Sequence, residues 1–192
     1  MENKTLEFYN ANIENYTKET AYVEFTDIQD RFLKYLTKGS SILDLGCGSG
    51  RDSKYFLDKG YVVDAMDGSI EMCKFASLLT GIAVQHKLFH ELDVVDTYDG
   101  IWASASLLHV PYDELKDVIG KLYTALHDEG IFYCSFKYGD YRGYRADRYF
   151  TDLNEESLAK LLDGFEVVEQ WISEDVRVNQ TQVWLNTILK KN

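Results

Sequence analysis

Ser41-Ile42-Leu43-Asp44-Leu45-Gly46-Cys47-Gly48-Ser49-Gly50 reads as a short buried strand running into a turn of three glycines, with a helix opening at Arg51-Asp52-Ser53. Two acids qualify the turn. Asp44 sits inside the strand end, and Asp67 closes the next apolar strand, Tyr61-Val62-Val63-Asp64-Ala65-Met66. This pairing suits a nucleoside-bearing ligand laid across the carboxyl ends of parallel strands, with the second acid on the ribose hydroxyls. The glycines let backbone approach the ligand where a Cβ would collide.

The glycines fall as G-x-G-x-G, not as the G-x-G-x-x-G of dinucleotide sites. An anionic Asp44 beside the turn would repel a pyrophosphate and attract a cationic amine or sulfonium. S-adenosylmethionine therefore fits better than NAD. The chain of 192 residues is read as a single domain, 1–192, with helices over 1–38 and a sheet core over 40–192. A net charge of −12 argues against nonspecific affinity for nucleic acid or an anionic membrane, both of which need clustered Lys and Arg. No segment approaches the ~20 apolar residues of a membrane span. No signal peptide is visible at the start, and a cytoplasmic setting is expected. Cys47, Cys73 and Cys134 share no C-x-x-C spacing, which speaks against a disulfide scaffold or a zinc site.

After residue 40, apolar runs alternate with helical patterns, the signature of an α/β sheet wrapped by helices. Strands are expected near 41–45, 61–66, 82–87, 100–105 and 130–137, with a last antiparallel pair near 165–173 and 180–189. Helices fit 51–59, 69–79, 112–127 and 154–163. Ahead of the sheet, two helical segments are expected over 5–38. The first carries Phe8, Tyr9 and Tyr16 on an otherwise polar stretch, so it is either a lid over a ligand or a plain surface helix.

This order resembles the class I S-adenosylmethionine-dependent methyltransferases. Ile42-Leu43-Asp44-Leu45-Gly46-Cys47-Gly48-Ser49-Gly50 looks like their first motif, and Ala65-Met66-Asp67-Gly68-Ser69 with Met72 like their second. Tyr98-Asp99-Gly100-Ile101-Trp102-Ala103 looks like their fourth strand, and Glu129-Gly130 like the turn before the fifth. A narrower likeness, carried by Phe8-Tyr9-Asn10, Gly50-Arg51-Asp52-Ser53, Ala105-Ser106-Leu107-Leu108-His109-Val110-Pro111, Ser135-Phe136-Lys137-Tyr138-Gly139 and Trp184-Leu185-Asn186, is to a small bacterial tellurite-resistance-like subgroup. The chain departs from that subgroup between 140 and 148, which leaves the acceptor pocket the least transferable part.

The resemblance implies a Rossmann-like fold with a seven-stranded, mostly parallel sheet, an antiparallel last strand and an N-terminal helical lid. It implies backbone at Gly46 and Gly48 facing the methionine part of S-adenosylmethionine, with Asp44 serving its ammonium directly or through water. Arg51 would meet its carboxylate and Asp67 the ribose diol. Gly68 and Met72 would border the adenine, Phe89 would lie at the adenine edge, and Ser104 would lie under the sulfonium. His109 is the acid–base candidate, since histidine titrates near neutrality; it is also readable as a helix-entry histidine that hydrogen-bonds backbone and does no chemistry. Tyr138 is a second catalytic candidate.

Between 137 and 149 the cations Lys137, Arg142, Arg145 and Arg148 are interleaved with Tyr138, Tyr141, Tyr144 and Tyr149. This loop either takes a flat or anionic small molecule or is a solvated loop balancing the acidic surface. Tyr9, Tyr16, Lys137, Arg148 and Arg177 are the acceptor-binding candidates. The Asn/Asp-Pro-Pro-aromatic motif of exocyclic-amine DNA methyltransferases is absent, since Pro111 is the sole proline, and no cysteine neighbours a proline as in RNA cytosine-C5 enzymes. A small-molecule acceptor is expected. A protein acceptor, and a module that binds S-adenosylmethionine without turnover, stay open.

Overall fold

The computed structural model describes residues 4–177 and 180–192. Seven strands form one sheet: β1 (Ser41–Leu45), β2 (Val62–Asp67), β3 (Gln85–His86), β4 (Tyr98–Ala103), β5 (Leu126–Lys137), β8 (Phe165–Glu174) and β9 (Val183–Lys191). Their order is β3-β2-β1-β4-β5-β9-β8, and β9 alone runs antiparallel to its neighbours β5 and β8. The expected class I methyltransferase sheet is present.

Period-two alternation along the central strands builds two apolar layers. Leu43, Leu45, Ile101, Ala103, Phe132, Cys134 and Phe136 face one side, where α6 (Tyr112–Ala125) packs through Leu115, Val118, Ile119 and Leu122. Ile42, Trp102, Ile131 and Tyr133 face the other side and meet Phe32 of α3 (Thr26–Leu33) and Phe56 of α4 (Arg51–Asp58). Trp102 stacks on Tyr133 with ring centroids 4.0 Å apart. All of these side chains are buried, so the sheet is covered on both faces, as a parallel sheet requires. Among the described residues, no helix is long and apolar enough to cross a membrane.

Boundaries differ from the sequence expectation in several places. The third strand shrinks to Gln85–His86, because exposed Gln85 and His86 leave it only a short register on β2. The fifth strand begins at Leu126, pairs with Tyr98, bulges, and resumes at Ile131 opposite Gly100. Ahead of the sheet stand three helices, not two: α1 (Lys4–Ala11), α2 (Ile13–Thr20) and α3. The cation-rich segment after β5 is a correction to the loop reading: β6 (Arg142–Arg145) and β7 (Arg148–Thr151) pair as an antiparallel hairpin, with Ala146 and Asp147 at positive φ in its turn. Two further helices complete the fold, α5 (Ile70–Thr80) after β2 and α7 (Glu155–Ala159) before β8.

Because β1 feeds β2 on one side and β4 continues on the other, the strand order reverses between β1 and β4. A crevice opens there at the carboxyl ends of the strands.

Candidate functional site

The crevice is a cavity of about 880 Å³, within the range of small-molecule and cofactor sites. Its floor is the glycine turn. Gly46 holds φ +75, and a Cβ there would stand 2.5 Å from the Ser106 Cβ and 3.2 Å from the Phe89 ring. No other residue fits at that point. Gly48, at φ +53, lies under the Tyr16 ring. The helix α4 opens directly after Gly50, and its first residues, Arg51 and Asp52, line the cavity.

Asp67 ends β2 at the cavity wall and is buried. Its carboxylate accepts hydrogen bonds from the Gly48 amide at 2.9 Å and the Ser69 amide at 2.8 Å. Burial raises its pKa, and these two bonds oppose the rise. A carboxylate offers about four lone-pair sites, so a diol can still be accepted. Gly68, Met72, Leu88, Phe89 and His90 continue the lining, and Ser104 lies at the end of β4. Next to it Ala105 takes φ +50, an uncommon conformation for alanine, and its amide is held by the Ser135 hydroxyl at 2.8 Å.

Asp44 stands differently from its sequence reading. It lies on the strand face that looks toward α4, beneath the cavity lining, and accepts the Ser53 hydroxyl at 2.6 Å. Burial, and then the nearby Asp52, push its pKa up, so the carboxyl is not the freely anionic group expected. The acid that reaches the cavity on this side is Asp52, which the sequence reading passed over. It takes both Nε (2.7 Å) and a terminal nitrogen (2.9 Å) of Arg51, the Gln29 amide at 2.7 Å and the Trp102 indole N–H at 2.8 Å. Arg51 lines the cavity with its guanidinium 4.2 Å over the Phe25 ring. Its bidentate partner here is Asp52, within the chain.

The opposite wall carries His109. Its Nδ1 lies 2.6 Å from the Tyr149 carbonyl oxygen, which can only accept, so Nδ1 carries the hydrogen. Burial, with Arg148 and Lys137 nearby, lowers the His109 pKa to about 4 and keeps the ring neutral. Nε2 is therefore an acceptor, and the Tyr9 hydroxyl donates to it at 2.8 Å. Tyr9 comes from α1 and is packed edge-on against Tyr16 of α2. One His109 nitrogen is thus spent on backbone, and the other takes the Tyr9 hydroxyl.

The acceptor candidates Tyr9, Tyr16, Lys137, Arg148 and Arg177 all line this cavity. Arg177 is occupied by a bidentate bond to Asp175. Tyr138 is a correction. As the residue after Lys137 on an extended chain it turns the other way, 42% exposed, and its phenol donates to Glu155 at 3.1 Å, outside the lining. Two anchors were missed. Thr5 accepts the Tyr149 amide at 2.9 Å, and Asn10 accepts the Ser69 hydroxyl at 2.7 Å, so α1 is tied to β7 and to the start of α5. Neither has a local sequence signal.

A doubly covered parallel sheet, a glycine turn at its reversal point and a buried acid one strand over define a nucleoside-binding enzyme of the class I methyltransferase type. The methyltransferase domain family model matches residues 16–170, and the chain belongs to that family. An uncharacterized methyltransferase of Staphylococcus carnosus is 25% identical over 94% of this chain and 92% of its own length. The malonyl-[acyl-carrier protein] O-methyltransferase of Salmonella typhimurium is 29% identical over 53% of this chain and 41% of its own. Among solved structures, the 1,6-didemethyltoxoflavin-N1-methyltransferase of Burkholderia thailandensis, with 1,6-didemethyltoxoflavin and S-adenosylhomocysteine bound, superposes with a TM-score of 0.80 at 23% identity, covering 98% of this chain and 88% of that one. TehB from Haemophilus influenzae superposes at 0.74 with 17% identity, over 96% of this chain and 67% of that one. The cofactor is S-adenosylmethionine, and the residues present fit it: a Cβ-free cradle at Gly46, a buried acid with spare lone pairs at Asp67, and a cavity of adequate volume.

Proposed function

We propose that this S-adenosylmethionine-dependent methyltransferase acts in the cytoplasm on a small-molecule acceptor, with the Tyr9–His109 pair receiving the acceptor's proton. The observation that carries this reading is the neutral His109 Nε2, fixed as an acceptor by the Nδ1–Tyr149 bond and facing the cavity through the Tyr9 hydroxyl. Bound S-adenosylmethionine supplies an electrophilic methyl group and leaves as the neutral thioether. Asp67 would hold the ribose hydroxyls, Gly46 and Gly48 the methionine part, and Arg51, released from Asp52, its carboxylate. Gly68, Met72 and Phe89 would enclose the adenine, and Ser104 would border the sulfonium. Helices α1 and α2, which line the cavity through Tyr9 and Tyr16, would act as its lid and exclude water. Alignment of donor and acceptor is the main catalytic contribution asked of the protein. The chain's net charge of −12 favours a small acceptor over nucleic acid.

The test is transfer of isotope-labelled methyl from S-adenosylmethionine into a fractionated metabolite extract. Label in a small molecule supports the reading. Label in protein moves the acceptor to that class, and no label in any fraction favours a binding module without turnover. His109→Ala and Tyr9→Phe are each expected to lower kcat at least tenfold while S-adenosylhomocysteine affinity stays unchanged; full activity in both removes the pair as a proton acceptor.

A further inference from the structure

The cations between 137 and 148, together with Arg177, are not equivalent. Arg145 is paired bidentately with Asp152, Arg177 with Asp175, and Arg142 stacks on Tyr112 at 3.5 Å. Lys137 and Arg148 have no carboxylate partner among the described residues, in a chain where 32 acids face 20 basic residues. Both line the cavity. Both lie against one ring, with Lys137 Nζ 4.2 Å and the Arg148 guanidinium carbon 5.3 Å from the Phe150 centroid. The Arg148 Nε is buried with no hydrogen-bond partner, and so is the Ser106 hydroxyl, which also lines the cavity.

A buried donor left unmade costs more than a made bond returns, so such atoms mark a missing partner. Two cations without a carboxylate partner in one wall repel each other as well. The Lys137 ammonium shows the strain: burial, and then Arg145, lower its pKa. Asp152 offsets this only in part, since both its oxygens are taken by Arg145. Glu19, Glu114 and Glu174 are exposed members of the cavity lining, while Asp52, Asp67 and Asp175 are already engaged in hydrogen bonds. The ring of His109 lies 4.9 Å from that of Phe150, so the two cations stand beside the proposed proton acceptor.

We propose that the methyl acceptor is an anion, and that Lys137 and Arg148 hold its carboxylate or phosphate group against Phe150. This rests on the methyltransferase reading of the cavity. The unpartnered Arg148 Nε–H can donate a charge-assisted hydrogen bond to such a group, and the lysine adds a point charge from the side.

The probes are benzoate, phenyl phosphate and neutral benzamide, titrated calorimetrically into protein saturated with S-adenosylhomocysteine. At least one anion is expected to bind tenfold or more tighter than benzamide, and the tighter of the two identifies carboxylate or phosphate as the natural group. Lys137→Met and Arg148→Met should each weaken that anion tenfold or more, with S-adenosylhomocysteine affinity within twofold of the wild type as the check on folding. Arg148→Lys should recover part of the loss. The proposal is overturned if benzamide binds as well as the anions, if neither anion binds the loaded protein, or if the methionine variants keep full anion affinity. Failure of S-adenosylhomocysteine itself to bind would instead strike the underlying methyltransferase reading.

Discussion

Asp67 carries two obligations at once. It caps the amides of Gly48 and Ser69, which shapes the turn, and it offers its remaining lone pairs to the cavity. Asp67→Ala is expected to weaken S-adenosylhomocysteine binding by roughly 1–3 kcal/mol, from the lost charge-assisted bonds and two stranded amides. Isothermal calorimetry checks this, and unchanged affinity would displace the ribose from this acid. His109 gives a second handle. Its pKa in the folded chain is about 4 against an ordinary 6.5, so the unfolded chain binds the extra proton between those values. The stability it contributes is present above about pH 6.5 and is lost as pH falls toward 4, by up to about 3 kcal/mol. Urea unfolding at pH 7 and pH 4.5 should show the wild type losing more than His109→Gln does. Equal losses would mean the ring is protonated without penalty. Asp44, whose pKa is raised by burial, works with the opposite sign and cancels in that comparison.

At the level of elements, α1 is held by polar ties from Thr5 to β7, from Tyr9 to His109 and from Asn10 to α5. Thr5→Val removes the acceptor of a part-buried amide, and about 1 kcal/mol of the docking should go with it. Amide exchange across Lys4–Ala11 is expected to quicken several-fold while β1 and β4 exchange as before; unaltered α1 protection would show that packing alone seats the helix. The contrast between elements also explains what could be read in advance. The β1 turn was legible because local chain geometry demands its glycines, and Asp67 because it ends an apolar run. The β6–β7 hairpin was not: Arg142-Gly143-Tyr144-Arg145 alternates no apolar face, so period two has nothing to display. Nor was the cluster of Asp52 with Gln29 and Trp102, whose members meet only after α3 and α4 close over the sheet. Asp44 was placed at the right strand end, but its side chain turns to Ser53 beneath the cavity lining, since a motif states proximity and not which way a strand residue faces.

For the whole molecule, ligand binding and folding are linked. The cavity is bounded by α1, α2, the β1 and β2 turns and the β8–β9 end, so a molecule seated there joins segments from both ends of the chain. At a hundredfold excess over Kd, S-adenosylhomocysteine should stabilise the fold by about 2.7 kcal/mol, a rise in Tm of roughly 5–10 °C for a chain of this size. Thermal scans with NAD should show no such rise; an equal rise would reopen the dinucleotide alternative. One feature links the hidden interior to the crevice. Trp102, fully enclosed among Phe32, Phe56 and Tyr133, is linked to the ligand chamber by its indole–carboxylate bond to Asp52, which also steadies Arg51, and by the edge of Phe25. Any guest that recruits that arginine redistributes charge around the indole, so the chain carries its own optical gauge of occupancy, sealed from quenchers in the solvent.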